Sequence, residues 1–388
     1  MMIFLKPFYM KRHRTWVEVS ERALTHNIET LRSLLEGESR FCAVLKSNAY
    51  GHGLTEVAGI AGRSGIDAFG VDAIDDALKL REMYPSALIL TLGYTMMDRF
   101  KEALQSNIHL TLYDREGIEQ AQSVGRELAK TFAIHLKVET GTMRQGVSMD
   151  ELSDLARILA RCDRVSLEGV STHFANIEDS ENPEFAAHQF SLYEQALAIL
   201  AEHQITPPWR HCACSAAIFL YPQTHQSLVR AGISMYGIWP SELVENTVRR
   251  LNLGCDLKPV LTWKSRVAQI KSVNMGTPVG YGLTEVMKRS GRLALIPVGY
   301  FDGYDRLLSS KGEVLIKGAR CKVMGRVCMN MMVVDVSQIP QLEKEEEVVL
   351  LGTDGRHRVS VEEIARLTQT VPYEVLARIN PELPRVIV

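Results

Sequence analysis

Phe41-Cys42-Ala43-Val44-Leu45-Lys46 is an apolar run closed by a lysine, and a polar, glycine-bearing turn, Ser47-Asn48-Ala49-Tyr50-Gly51-His52-Gly53, follows at once. Residues 54–63 then carry apolar side chains at helical spacing, so the segment reads as strand, loop and helix. The unit recurs. Strand-like runs at 41–46, 67–71, 87–92, 108–113, 131–139, 164–174, 209–214 and 227–236 alternate with helical stretches that include 54–63, 73–84, 97–106, 115–129, 149–161 and 185–203. The fifth of these helices opens on a capping box, Ser148 with Glu151, which can satisfy free amides at a helix start. Such alternation implies parallel strands with right-handed crossovers, and eight repeats imply a closed (β/α)8, TIM-like barrel.

Beyond about residue 255 the pattern changes to strands divided by glycine and charged turns: LTWKSRVAQIKSV, RLALIPVGY, GEVLIKGARCKVMGRV, NMMVVDVS and EVVLLG. Only 361–369 and 373–379 look helical there, the first with Ser360 and Glu363 as a second capping box. The expectation is an α/β chain with a barrel over 14–254 and a mostly β C-terminal domain over 255–388. Residues 1–20 are expected to join that domain, since the early strand Trp16–Ser20 has no place among the eight repeats.

With 388 residues the chain has room for two cores. A net charge of −2 gives no global basic field and argues against nucleic acid as a partner. Seven scattered cysteines read as reduced thiols rather than a disulfide framework. The N-terminal apolar stretch is broken by Lys6 and Pro7, with its basic cluster after it, and no apolar run reaches about eighteen residues. A cytoplasmic protein with no membrane partner is expected.

In such barrels chemistry gathers where the strands end. Lys46, Lys137, Arg144, His173 and Ser215 fall at or just after the ends of runs, and Arg230 lies in the last run. An ammonium at the inner end of a buried strand is costly to desolvate, so its pKa falls and it becomes a free amine able to condense with an aldehyde. From position alone Lys46 reads rather as a lysine that ends a strand and whose ammonium reaches water. Likewise Lys137 can point into solvent, His173 can be structural and Arg230 can be an ion-pair residue.

The string Ala43-Val44-Leu45-Lys46-Ser47-Asn48-Ala49-Tyr50-Gly51-His52-Gly53 resembles the cofactor-lysine segment of the alanine racemases. The resemblance implies that Lys46 carries pyridoxal 5'-phosphate as a Schiff base and that Tyr50 touches its phosphate. His135 to Arg144 is similar to the segment in which a lysine, here Lys137, is carbamylated and fixes an arginine, here Arg144, beside the cofactor's phenolic oxygen. Thr172-His173-Phe174-Ala175 matches the histidine that hydrogen-bonds a catalytic tyrosine. His211 and Ser215-Ala216-Ala217 resemble a segment whose serine binds phosphate and whose histidine braces an arginine, which would be Arg230. An arginine facing the pyridine nitrogen donates without giving up its proton, so the electron sink is weak and proton exchange is favoured over transamination.

Racemisation needs a second base, because one lysine returns a proton to one face only. Pro278-Val279-Gly280-Tyr281-Gly282 resembles the site of the family's tyrosine base, which reaches the active site from the other subunit. Without the resemblance Tyr281 reads as a turn-packing aromatic. By resemblance Tyr300 lines the entrance, the Met329 amide helps Arg144 hold the substrate carboxylate, and Tyr373 with Tyr50, Ser215 and the amides of Gly232 and Ile233 binds phosphate. The expected function is alanine racemase, a homodimeric isomerase with shared active sites that supplies D-alanine for peptidoglycan. The alternatives are a racemase of broader range or a decarboxylase of the same fold, and a non-catalytic barrel that carries the cofactor. His211-Cys212-Ala213-Cys214 has no second cysteine pair, so no metal is expected. Glu139, Cys214, Asn330 and Glu382 depart from the family pattern, Asn330 by losing a charge beside the presumed substrate pocket.

Overall fold

The computed structural model describes residues 13–35, 37–179 and 181–388. The chain forms two compact units. One comprises Ala23–Ser47 and Ala58–Lys258; the other comprises Asn48–Val57, Pro259–Val388 and the described residues up to Arg22.

Strand β1 (Thr15–Val19) belongs to the latter unit, and the former holds β2 (Arg40–Val44), β3 (Ala68–Val71), β4 (Leu88–Thr91), β5 (His109–Leu112), β6 (Phe132–Lys137), β7 (Val165–Ser171), β8 (Trp209–His211) and β9 (Leu228–Ala231). These eight strands pair in parallel in the order β8-β7-β6-β5-β4-β3-β2-β9. Between β8 and β9 the circle is bridged by Arg230 N donating to Ala213 O at 3.0 Å and Ser227 N to Arg210 O at 3.2 Å. The barrel reading of the sequence therefore holds. β3, β4 and β9 are buried along their whole length, as strands covered on both faces must be. Cys42, Ala68, Leu88 and Leu228 cluster, with Trp209 packed against them. His135, His211, Thr111 and Arg230 are buried polar residues of the same strands.

The helices expected from spacing form at Leu54–Arg63, Ile74–Met83, Phe100–Gln105, Arg115–Glu127, Met149–Leu159 and Glu184–Glu202. Ser148 accepts from Glu151 N at 3.3 Å, but its hydroxyl donates to the Glu151 carboxylate at 2.8 Å, so the reciprocal half of the expected box is side chain to side chain. Two further helices, Ser215–Leu220 and Glu242–Arg250, escaped the periodicity reading. Several runs also stop earlier than expected. β2 ends at Val44 rather than Lys46, β7 at Ser171 rather than 174 and β9 at Ala231 rather than 236, because the residues that follow turn away from the ladder.

In the second unit β1 lies between Leu261–Arg266, antiparallel, and Arg385–Ile387, parallel. Strand 261–266 alternates strictly, with Leu261, Trp263 and Ser265 buried. The sheet continues through 347–354 to 313–316 and 319–322, while 269–273, 291–296 and 332–335 form a three-stranded sheet. Among the described residues no helix is long and apolar enough to cross a membrane.

Candidate active site

Leu45 N donates to Gly70 O at 2.8 Å, and with that bond the chain leaves the ladder. Ser47, Asn48, Ala49 and Tyr50 then take φ values of +56°, +55°, +53° and +53°, one turn of left-handed helix built without glycine. Such a conformation costs roughly 1–2 kcal/mol per residue, so neighbouring structure must hold it. Asn48 contributes most of that hold. Its carbonyl accepts from Gly53 N and its side-chain oxygen from Leu54 N, both at 2.9 Å. The buried His52 ring bonds Tyr50 O through Nδ1 at 2.9 Å. Gly51 is obligatory, since a Cβ there would sit 2.0 Å from Leu376 O. Arg385 donates to Gly51 O from Nη2 at 2.8 Å and from Nε at 3.2 Å.

Lys46 opens this turn, half-buried. Burial lowers its pKa, Asp72 opposes that, and Arg144 and Arg230 push it further down, so the free amine is favoured relative to an exposed lysine. Asp72 follows directly on β3, where the register that pairs Val44 with Gly70 brings the ends of β2 and β3 side by side.

Arg230 is buried, and its two terminal nitrogens are occupied. Nη1 donates to His211 Nδ1 at 2.8 Å and to His211 O at 2.6 Å; Nη2 donates to Thr172 O at 2.8 Å and lies 3.4 Å from His173 Nδ1. Nε makes no hydrogen bond among the described residues and remains as a donor for a ligand. Because guanidinium only donates, His173 is an acceptor at Nδ1 and carries its proton on Nε2. Burial first, then Arg230, Lys137, Arg144 and Lys46, hold His173 well below the usual imidazole range, so it is neutral.

Lys137 ends β6 with its pKa lowered to about 7, by burial first and then by Arg230 and Arg144, with Glu139 opposing. Glu139 organises the loop that carries Arg144. Its carboxylate accepts from Gly141 N and Thr142 N, both at 2.6 Å, and from Arg144 N at 3.2 Å. Burial alone would raise its pKa, but these bonds bring the net shift down. The glutamate at this position is thus a working anchor for the loop. Ser215, at the start of its short helix, accepts on Oγ from Gly232 N at 3.0 Å and Ser234 N at 3.4 Å, so donor groups converge on one point.

The second unit gathers the other expected residues. Tyr50 and Tyr373 have ring centroids 6.2 Å apart. Tyr281, Tyr300 and Met329 line an open cavity of about 460 Å³ with Arg306, Arg326 and Asn330. Tyr281 stands between two glycines of positive φ, Gly280 and Gly282, and is 72% exposed. A Cβ on Gly282 would meet the Arg326 guanidinium at 3.0 Å. Arg306 and Arg326 were missed from sequence, although Arg326 lies three residues before Met329. His109, His135 and Gly169 were missed as well, and their role emerges only from side-chain contacts.

Family models for the alanine racemase N-terminal domain and C-terminal domain match residues 19–240 and 260–387. The chain is 38% identical over 373 residues to the alanine racemase of Desulforamulus reducens, covering 96% of this chain and 98% of that protein. It is also 38% identical over 371 residues to the alanine racemase of Symbiobacterium thermophilum, covering 96% of each. The crystal structure of the alanine racemase from D-cycloserine-producing Streptomyces lavendulae superposes with a TM-score of 0.90 at 31% identity, covering 97% of both chains.

Proposed function

This chain belongs to the alanine racemase family and is an isomerase that interconverts L- and D-alanine, and from that premise we propose a two-base reaction with Lys46 and Tyr281 as the bases and pyridoxal 5'-phosphate as cofactor. The observation that carries the reading is the barrel-end cluster. There an amine favoured in its free form lies in the field of Arg230, whose Nε has no partner among the described residues.

The residues fit the group. Bound pyridoxal phosphate would supply an aldehyde for imine exchange and a ring that takes up the electron pair of the broken Cα–H bond. Arg230 would donate Nε–H to the ring nitrogen. Ser215, the amides of Gly232 and Ile233, and the phenols of Tyr50 and Tyr373 would serve the phosphate. Arg144 and the Met329 amide would hold the substrate carboxylate, with Tyr300 at the entrance.

Lys46 then takes or returns the α-proton on the D face and Tyr281 on the L face. His173, with its proton on Nε2, is suited to donate to the oxygen of an ionised phenol and so make that tyrosine a stronger acid than it is in water. The carbamate proposed for Lys137 is supported by its lowered pKa, because the neutral amine is the form that adds to carbon dioxide. Three cationic neighbours, Arg230, Arg144 and Lys46, would also favour an anion there.

Tyr281 comes from a second copy in this proposal, which makes the working unit a homodimer. The support is an exposed apolar group on one ribbon, Tyr281 at 72%, Leu283 at 64% and Val286 at 45%. All seven cysteines are free thiols, in keeping with a reducing, cytoplasmic setting. D-alanine for wall peptide is the use the family implies.

Reduction of the holoenzyme with borohydride followed by peptide mapping tests the assignment. A pyridoxyl adduct on Lys46 is expected, and an adduct on any other lysine overturns it.

A further inference from the structure

Three imidazoles run in series from Arg230 across the barrel interior. His211 accepts from Arg230 at Nδ1, its Nε2 lies 2.8 Å from His135 Nδ1, and His135 Nε2 lies 3.2 Å from His109 Nδ1. The rings meet edge to face, 5.0 Å and 5.3 Å between centroids. β8, β6 and β5 each supply one of them. His135 and His211 are fully buried, while His109 is half-buried at the far end. The gap that lets the His135 ring lie there is made by Gly169, where a Cβ would come within 2.2 Å of His135 Nδ1.

The protons of this chain can be assigned without seeing them. Guanidinium has no acceptor, so His211 Nδ1 must accept and its proton sits on Nε2. His211 therefore donates to His135 Nδ1, which puts the His135 proton on Nε2 as well. The same step makes His109 Nδ1 an acceptor. All three rings share one tautomer, dictated from the Arg230 end, and all three must be neutral for the series to hold. Burial keeps them so: His109 is held down to about 4, chiefly by burial, with Glu168 opposing and Arg81 and Arg40 assisting. His135 and His211 are held well below the usual imidazole range for the same leading reason.

We propose that His109 is a positioning residue for the reaction. As the terminal acceptor it satisfies the buried His135 Nε2–H and holds the rings in line, and thereby the pose in which Arg230 offers Nε, an inference that rests on the cofactor reading above. Without an acceptor at the far end, the His135 Nε2–H has no partner. Moving that proton to Nδ1 gives no relief, since it would face His211 Nε2–H. The His135 ring must instead turn toward another acceptor and draw away from His211.

His109→Phe keeps a ring in place but removes the acceptor; His109→Asn restores an oxygen near the position of Nδ1. The experiment records imidazole 15N signals of the holoenzyme together with the ratio of abortive transamination to racemisation. In the parent protein His135 and His211 should both carry the proton on Nε2. In His109→Phe the His135 Nδ1 and His211 Nε2 signals should lose the shifts of their mutual hydrogen bond and the abortive ratio rise roughly tenfold, the scale of one buried hydrogen bond left unmade. His109→Asn should restore both. Unchanged His135 and His211 shifts in His109→Phe overturn the proposal, as do changed shifts with an unchanged ratio, or failure of a folded His109→Asn to rescue. If His109→Phe does not fold, an Nδ1–H on His135 or His211 of the parent protein is enough to overturn it. The tautomers can also be read without cofactor, so an absent cofactor absorption would count against the functional reading and leave the imidazole series to be judged separately.

Discussion

Arg385→Leu should weaken cofactor binding from a position in the last strand of the chain. The Arg385 guanidinium bonds Gly51 O twice, at 2.8 Å and 3.2 Å, and also donates to Asn380 O at 2.7 Å and Leu383 O at 2.6 Å. Burial lowers its pKa to about 10, against Glu56, so it stays charged near neutrality. A hydrogen bond to a charged group is worth about 1.5–3 kcal/mol, but bonds from one guanidinium are not additive, so about 4 kcal/mol is expected for the whole clamp. At about 2 °C per kcal/mol that is a fall of roughly 8 °C in Tm. The second effect is local. Gly51 follows the left-handed residues 47–50, and that turn begins at Lys46. Releasing its carbonyl lets the turn relax toward ordinary geometry, and the dissociation constant for pyridoxal phosphate should rise at least about tenfold, or 1.4 kcal/mol. Thermal denaturation and an absorbance titration with the cofactor measure the two effects. A fall in Tm with unchanged cofactor affinity would show that the clamp only secures the terminal strand, and an unchanged Tm would refute the reasoning altogether.

Tyr281→Phe should slow racemisation by about 10²–10⁴, while α-proton exchange of D-alanine with deuterated solvent continues and that of L-alanine stops; equal loss from both enantiomers would contradict separate bases. Gly169→Ala places a methyl 2.2 Å from the His135 ring, and overpacking of this kind costs about 1–3 kcal/mol, read as a lower urea midpoint. His52 and His109 are each depressed from 6.5 to about 4. The unfolded chain therefore binds protons that the folded chain refuses, and stability present above about pH 6.5 is lost as the pH falls toward 4, by about 3 kcal/mol per histidine. Urea denaturation across that window should show the loss, and a flat profile would mean that these rings protonate in the fold. Lys137 should give a carbamate carbon signal in protein equilibrated with 13C-labelled carbon dioxide, growing as the pH rises through about 7; its absence from Lys137→Gln assigns it, and its absence from the parent protein on both sides of that pH removes the carbamate from the scheme.

The barrel was legible because its strands are short apolar runs with helices between them, a signal carried by composition and spacing. The ends of those strands were less so. Runs 164–174 and 227–236 stay apolar past the ladder, since Phe174, Ile233, Met235 and Tyr236 are buried without being strand residues. Glu242–Arg250 had readable caps, with Ser241 Oγ accepting from Val244 N, acids in the first turn and arginines in the last, and caps were the better guide there than periodicity. The left-handed turn had no comparable signal. Nothing in Ser47-Asn48-Ala49-Tyr50 demands positive φ; its hold comes from Asn48, Gly51 and an arginine more than three hundred residues away in sequence. The chemistry-bearing residues at the strand ends stood out one at a time, but the imidazole series did not, because His109 and His135 look like ordinary strand residues until their rings are seen to meet.

The charge at the barrel end constrains what can complete it. Lys46, Lys137, Arg144 and Arg230 act on one another strongly enough that each lysine is pushed down by cationic neighbours, and His173 is pushed down by all four. Asp72 and Glu139 oppose them, but the Glu139 carboxylate is already committed to the backbone of its own loop. An excess of positive charge in a half-buried site is costly unless an anion arrives. Four anionic groups are available to the proposed reaction: the phosphate and the phenolic oxygen of the cofactor, the carboxylate of alanine, and a carbamate on Lys137. The last has a different consequence from the others. It puts a negative group beside Arg144, and an anion at that position, within the field of Lys46, would raise the Lys46 pKa. Losing it should therefore be felt twice, in the grip on the substrate carboxylate and in the basicity of the lysine that moves the proton.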